Sequence, residues 1–228
     1  MLLGNDVVDL HGPGNRRKSG STRFVRRVFT EAEAARIHAA PDPDVVLWLY
    51  WSAKEAAFKI ARKLDAGVLF AHRRFEVVPD SDHDGRPSRA TGRVLLHEGL
   101  GLGLEDVRIE WRSAPTYVHC LATQRIEHAA ELRVRVASLE ECGVLGTALS
   151  VRERECVRTQ SSERVRRLTK ELAQEMGLGD VEIVRERSGD RLGPPRLHRS
   201  GAAAPLEGWD ISLSHDGRFV AAALARSG

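Results

Sequence analysis

Apolar and polar positions divide the chain into short strands and a few amphipathic helices. Leu2–Leu10 reads as a strand interrupted by Asn5 and Asp6, followed by the loop Gly12-Pro13-Gly14. Thr30 with Glu33 three residues on predicts a capped helix start. That helix runs to about Ala40, where Pro41 and Pro43 stop it. A second helix spans about Asp44 to Lys63 and ends near Gly67. Phe75–Pro79 predicts a strand, Asp80–Pro87 a polar turn, and Arg93–Leu100 a helix closed by a glycine-rich turn. Val107–Trp111 and Tyr117–Thr123 alternate as a hairpin does.

The order then returns. Leu132–Val136 predicts a strand, Ser150 with Glu153 a second capping box, and Glu163–Met176 a helix closed by Gly177. Val181–Arg185 predicts a strand, Ser188–Pro195 a turn, and Ile211–Ser214 with Phe219–Ala225 a last hairpin, preceded by a low-complexity loop at 199–208. Ser52-Ala53-Lys54-Glu55-Ala56 in the first run corresponds to Leu168-Thr169-Lys170-Glu171-Leu172 in the second. The reading is an α+β fold of two similar α+β halves, residues 1–125 and 126–228.

Composition narrows the class. With 42% hydrophobic and 29% charged residues over 228 positions, the chain is globular. No apolar run exceeds the seven residues of Val45–Trp51, far short of the ~20 residues of a membrane helix. The first six residues carry no basic segment, which together with three cysteines lacking any CxxC pair predicts a cytoplasmic protein without disulfides or structural zinc. A net charge of +3 and 5% aromatic residues disfavour a nucleic-acid binder and no membrane partner is expected. The charge is concentrated: Arg16, Arg17, Lys18, Arg23, Arg26 and Arg27 fall in one stretch with no acidic residue. Such a patch suits an acidic protein or a phosphate-bearing substrate.

Three clusters could carry chemistry. In Gly4-Asn5-Asp6 a carboxylate ends a strand beside a glycine, or simply occupies a turn. In Trp51–Lys59, Glu55 and Lys59 share a helix face. They could form an exposed pair contributing ~0.3–0.5 kcal/mol. Alternatively Glu55 holds a hard metal, as Mg²⁺ commonly takes one or two carboxylates plus substrate phosphates, while Lys59 neutralises phosphate oxygens. In Ser212-Leu213-Ser214-His215-Asp216-Gly217, serine and histidine before a tight turn can donate to a phosphate or be solvated turn residues. A hydrolase triad is disfavoured, because no G-x-S-x-G is present.

Together these motifs resemble the 4′-phosphopantetheinyl transferase superfamily. Its apolar-G-x-D strand stands as Leu3-Gly4-Asn5-Asp6, its lysine-glutamate helix as Trp51–Lys59, and its S-x-S-H hairpin as Ser212–His215. The first half also resembles a whole holo-acyl-carrier-protein synthase, with Arg26–Thr30 before one helix and Asp84-Gly85-Arg86-Pro87 before another. There are departures. The first half has Glu110-Trp111-Arg112-Ser113 where S-x-S-H is expected, Pro194 replaces the lysine of a G-K-P turn, and Val8 stands where larger two-half members carry a third metal ligand.

The resemblance implies a pseudo-twofold monomer with one working site, the metal residues coming from the first half and His215 from the second. The implied reaction is Mg²⁺-dependent transfer of 4′-phosphopantetheine from coenzyme A to a serine of an apo acyl or peptidyl carrier protein, releasing 3′,5′-ADP. Asp6 and Glu55 would hold the metal, and Glu55 and Lys59 would be catalytic, with either Glu55 or a metal-bound water taking the serine proton. Lys54, Lys59, Ser214, His215, Gly193 and Pro195 would bind coenzyme A, and Arg23, Arg26 and Arg27 the carrier protein. The opposite interface, Lys170-Glu171 against Glu110–Ser113, would be dead. The replaced lysine and absent third carboxylate leave open a second reading, a non-catalytic module of the same fold that binds coenzyme A or a carrier protein.

Overall fold

The computed structural model describes residues 1–81, 88–124, 129–144, 148–188 and 191–227. The anticipated half boundary at 125/126 and the turn motif at 84–87 lie outside them.

The first five strands are β1 (Leu3–Asp9), β2 (Phe75–Pro79), β3 (Arg89–Leu96), β4 (Asp106–Ser113) and β5 (Tyr117–Thr123). They form one antiparallel sheet in the order β1-β5-β4-β3-β2. Three helices precede β2: α1 (Thr22–Val28), α2 (Glu31–Ala39) and α3 (Pro43–Leu64). The capping box at Thr30 and Glu33 forms as its spacing predicts. α3 starts on the Asp42 cap with Pro43 in its first turn and lays an apolar stripe from Val45 to Ala61 on the sheet.

The remaining strands are β6 (Ala129–Ser138), β7 (Val181–Ser188), β8 (Arg191–Arg199), β9 (Trp209–Asp216) and β10 (Phe219–Ser227), with helices α4 (Val151–Glu155) and α5 (Gln160–Glu175). They pair as β6-β10-β9 and β7-β8, an order corresponding to that of the first sheet but interrupted between β9 and β8. A second apolar core joins α5 to these strands, and Leu3, Leu121, Ala223 and Ala225 form a small cluster between the two groups of strands.

Three elements differ from the sequence reading. Residues 93–96 lie in β3 rather than a helix: Ala90, Gly92, Val94 and Leu96 are buried while Arg89, Thr91 and Arg93 are exposed, a period of two. Only Glu98–Leu100 is helical there, as a single 3₁₀ turn. α1, carrying Arg23, Arg26 and Arg27, is a helix that the basic composition concealed, held by the burial of Val25 and Val28. Gly193, Pro194 and Pro195 lie in β8, not in a turn, and Pro195 pairs opposite Arg185.

One contact sets the distance between β1 and α3. A Cβ built on Gly4 would sit 1.9 Å from the Ala56 carbonyl oxygen, so only glycine lets this strand lie against this helix. That approach brings Asp6 beside Glu55. Gly4→Ala is therefore expected to cost about 1–3 kcal/mol, read as a lower urea midpoint; an unchanged midpoint would show that β1 and α3 can separate freely.

Candidate active site

β1 is the edge of its sheet, and its open side is sealed by side chains. The backbone N–H groups of Leu3, Asn5, Val7 and Asp9 donate to Asp210 Oδ2, Ser212 Oγ, Ser214 Oγ and Asp216 Oδ2 at 2.7, 2.8, 3.2 and 2.8 Å. On the same edge, Lys63 Nζ donates to the Leu3 carbonyl at 2.6 Å and Lys59 Nζ to the Asn5 carbonyl at 2.7 Å. The alternating side chains of β9 are committed to β1 in this way. The intervening positions, Leu213 and His215 among them, face two adjoining cavities.

The first cavity, about 530 Å³, is walled by Asp6, Glu55, Lys59, His215 and Asp216, with Lys18, Phe24, Trp48 and Trp51 at its other end. The second, about 280 Å³, shares Glu55, Lys59, Leu213 and His215 and adds Arg62, Arg166, Arg185, Pro194 and Pro195. Thus Glu55 and His215, 160 positions apart, line the same space.

Asp6 is buried, and its Oδ1 accepts from Ser214 Oγ at 2.8 Å and from Lys59 Nζ at 3.0 Å. Burial nonetheless raises its pKa, against the opposing pull of Lys59. Glu55 makes no hydrogen bond or ion pair among the described residues, and burial followed by the charge of Asp6 pushes its pKa up to about 7. Two desolvated carboxylates with one ammonium between them are short of positive charge. That all-oxygen donor set fits a hard divalent cation. Among the described residues no group of three or more His, Cys, Asp or Glu side chains could hold a metal ion, and Val8, buried at the cavity wall, offers no oxygen. His215 is exposed in the cleft, and partial desolvation followed by the Lys59 charge lowers its pKa.

The structure reassigns several of the residues anticipated from sequence. Lys54 does not reach the cavities: its side chain is fully buried, bonded to Glu33 at 2.8 Å and to the carbonyls of His72 and Phe75. Glu33 in turn accepts from the N–H groups of Thr30 and Val77, both at 2.7 Å. Lys54 therefore ties α3 to the α2 cap and to β2, and α-helical geometry turns it away from Glu55. The same arrangement occurs again, where Lys170 meets Glu153 at 3.2 Å and Glu153 accepts from Ser150 N and Ile183 N. Gly193 is withdrawn from the cavity lining, its carbonyl accepting from Arg185 Nε at 2.7 Å, while Pro194 and Pro195 remain on the wall. Ser214 lines the cavity but commits its hydroxyl proton to Asp6, so it positions that carboxylate. Arg23, Arg26 and Arg27 are exposed on α1, whose Phe24 borders the first cavity.

Sequence reasoning missed Arg62, Arg166 and Arg185. Arg62 lies three residues beyond Lys59 on α3, a spacing that could have revealed it. Arg166 on α5 and Arg185 on β7 arrive only through the tertiary fold. Arg62 and Arg166 each keep a buried Nε with no hydrogen-bond partner among the described residues. Burial lowers the pKa of Arg166 and Arg185, and the charge of a neighbouring arginine adds to it, Arg185 acting on Arg166 and Arg62 on Arg185.

Residues 2–122, just over half of the chain, match the 4′-phosphopantetheinyl transferase superfamily, and the chain belongs to that superfamily. The holo-[acyl-carrier-protein] synthase of Shewanella frigidimarina (strain NCIMB 400) is 33% identical to it over 86 residues, 37% of this chain. The match covers 65% of that relative, just under two thirds of its length. Among the described residues no helix is long and apolar enough to cross a membrane.

The raised Glu55 pKa fixes the sign of a pH effect. Below about pH 4.5 the carboxyl is protonated in both folded and unfolded chains. Between 4.5 and about 7 only the unfolded chain releases the proton, so Glu55 increasingly destabilises the metal-free fold as pH rises. Glu55→Gln should therefore raise the thermal midpoint at pH 8 and leave it unchanged at pH 4, both measured in chelator. A gain of equal size at both pH values would sink the assignment.

Proposed function

We propose that the chain transfers 4′-phosphopantetheine from coenzyme A to a serine hydroxyl of an apo acyl or peptidyl carrier protein, releasing 3′,5′-ADP. The observation that carries the reading is the junction of the two cavities, where Asp6, Glu55, Lys59 and His215 meet with a cationic chamber on one side. Membership of the superfamily and the likeness to a holo-acyl-carrier-protein synthase support it.

Asp6 and Glu55 would hold Mg²⁺, which when bound supplies charge to the pyrophosphate. Lys59, already donating to Asp6, faces the cavities from α3 and would neutralise pyrophosphate oxygens. His215, its pKa lowered before any phosphate is present, gains a proton as an anion arrives and becomes a donor on both ring nitrogens. Arg62, Arg166 and Arg185 would take the phosphates of the 3′,5′-ADP portion, a role that the unpartnered Nε atoms of Arg62 and Arg166 fit. The serine oxygen attacks the phosphorus bearing pantetheine, the bond from that phosphorus to the ADP oxygen breaks, and the serine proton is released. Catalysis on this reading is positioning and charge neutralisation.

We also read the chain as two α+β halves, near 1–125 and 126–228, in a pseudo-twofold monomer with one working site. The matching strand orders and the repeated Lys–Glu cap support this. At the equivalent place in the second half Glu171 pairs with Arg135 at 3.7 Å, and among the described residues no counterpart of Asp6 acts on it. A cytoplasmic location follows from the substrate.

The test is incubation with coenzyme A, Mg²⁺ and an apo carrier protein, with mass spectrometry of the carrier. The expected result is a phosphopantetheine adduct. Asp6→Ala and Glu55→Ala should each lower turnover by at least ~100-fold while circular dichroism shows a folded chain. Coenzyme A binding without any adduct, under every metal and carrier condition, would favour the non-catalytic module instead.

The arginines of α1 supply a second test. Exposed ion pairs contribute little individually, ~0.2–1 kcal/mol, and act mainly on association. The triple change Arg23→Glu, Arg26→Glu, Arg27→Glu should raise the carrier KM strongly, imitate high salt, and leave the coenzyme A KM nearly unchanged. Steady-state kinetics with each substrate varied in turn decide it: a loss confined to coenzyme A would move these arginines to the nucleotide.

A further inference from the structure

Two lysines one turn apart on α3 grip the same edge of β1, and they are used differently. Lys59 Nζ donates to the Asn5 carbonyl and to Asp6, and its side chain is 28% exposed. Lys63 Nζ lies within hydrogen-bond reach of four oxygens: the Leu3 carbonyl at 2.6 Å, the Ile211 carbonyl at 2.7 Å, and Asp210 Oδ2 and Oδ1 at 2.8 and 2.9 Å. Its side chain is 5% exposed. An ammonium group has three N–H bonds, so Lys63 has none left for a ligand although it borders the second cavity. Lys59, with two such bonds among the described residues, keeps one. Asp210 is equally committed, because its Oδ2 also accepts from the Leu3 N–H at 2.7 Å. One ion pair thereby satisfies both backbone groups of Leu3 and a carbonyl of β9.

The spacing of these contacts matches helix to strand. Four residues of helix advance ~6 Å, and two residues of antiparallel strand ~6.8 Å. Lys59 and Lys63 therefore meet the carbonyls of Asn5 and Leu3 in step, with Gly4 between them against Ala56. Asp210 and Ile211 carry the same anchor into β9, where Ser212, Ser214 and Asp216 take the N–H groups of Asn5, Val7 and Asp9 at two-residue intervals. A slip of β1 by two residues would keep the same faces buried but would carry Asp6 away from Lys59 and Ser214. Neither Lys63 nor Asp210 belongs to the lysine-glutamate motif, which ends at Lys59, or to the S-x-S-H hairpin, which begins at Ser212.

We propose that Lys63 and Asp210 are positioning residues: together they fix the register of α3 on β1 and of β1 on β9, and through it the meeting of Asp6, Glu55 and His215. The catalytic consequence rests on the transfer reading above; the register itself does not.

The experiment uses the full chain and three variants, Lys63→Met, Asp210→Asn and the double change, the last of which strands no buried charge. Amide hydrogen exchange is followed residue by residue. Each variant should speed exchange at Leu3, Asn5, Val7 and Asp9 by at least ~10-fold, while the amides of the β3–β4 ladder keep their rates. Acceleration confined to Leu3 would make the pair a local staple and overturn the inference; acceleration throughout the chain, a plain loss of stability, would overturn it too. Steady-state transfer is then measured well below the thermal midpoint. There kcat should fall ~10–100-fold with the coenzyme A KM within about threefold. The double variant should be no slower than the slower single one, because both changes remove one interaction. A coenzyme A KM raised by Lys63→Met and not by Asp210→Asn would make Lys63 a phosphate ligand instead, and an unchanged kcat in all three variants would leave the pair no positioning role. If the unmodified chain transfers nothing, the transfer reading falls and the exchange pattern alone decides the register.

Discussion

An open sheet edge must be covered, and in this protein the cover builds the site. β1 pairs by its backbone with β5 on one side, and on the other its four N–H groups are taken by β9 side chains, Asp210, Ser212, Ser214 and Asp216. Two carbonyls on the same edge take the ammonium groups of Lys59 and Lys63. Because strand side chains alternate, committing the even-numbered positions of β9 to β1 sends Leu213 and His215 the other way, into the cleft. The spacing of the S-x-S-H motif thus has a mechanical reason: the serines hold the strand that bears Asp6, and the histidine is left facing the cavities.

α3 completes the arrangement by separating support from chemistry around its circumference. Lys54 is turned to the interior, where Glu33 and two carbonyls satisfy it. Removing either partner would strand a buried charge, which is costly. Glu55, the next residue, is rotated into the cavity with no hydrogen bond among the described residues. Adjacent residues on one helix thus have opposite duties. The difference in their surroundings, not in their sequence neighbourhood, produces it. The same Lys–Glu cap recurs at Lys170 and Glu153, where the lysine also lies 3.8 Å from Asp180.

Much of this architecture could be read along the chain. Capping boxes at Thr30 and Ser150 and the hairpin strands 107–111, 117–123, 211–214 and 219–225 declare themselves by local hydrogen-bonding chemistry and by period. Where reading failed, the local signal was ambiguous. Arg89–Leu96 includes glycine and a pair of leucines that suit either period, and only burial of alternate residues against Trp111 and α3 settles it as a strand. Pro194 and Pro195 suggest a turn, yet they fit β8 because that strand pairs with β7 on one side while its sheet is interrupted on the other.

By itself the sequence disclosed most of the elements and the family motifs, and through the family resemblance it pointed to the residues that meet at the cavity junction, Asp6, Glu55, Lys59 and His215. These depend on neighbours within a turn or two, which a linear pattern records. The tertiary structure alone decided that Lys54 is internal, that Ser214 serves Asp6, and that Arg62, Arg166 and Arg185 from three separate elements face one cavity with His215. The reason is that convergence of like charges carries no local signature. It is tolerated only because elements far apart in the chain are pressed together by their apolar faces, which leaves the cations where an anion can reach them.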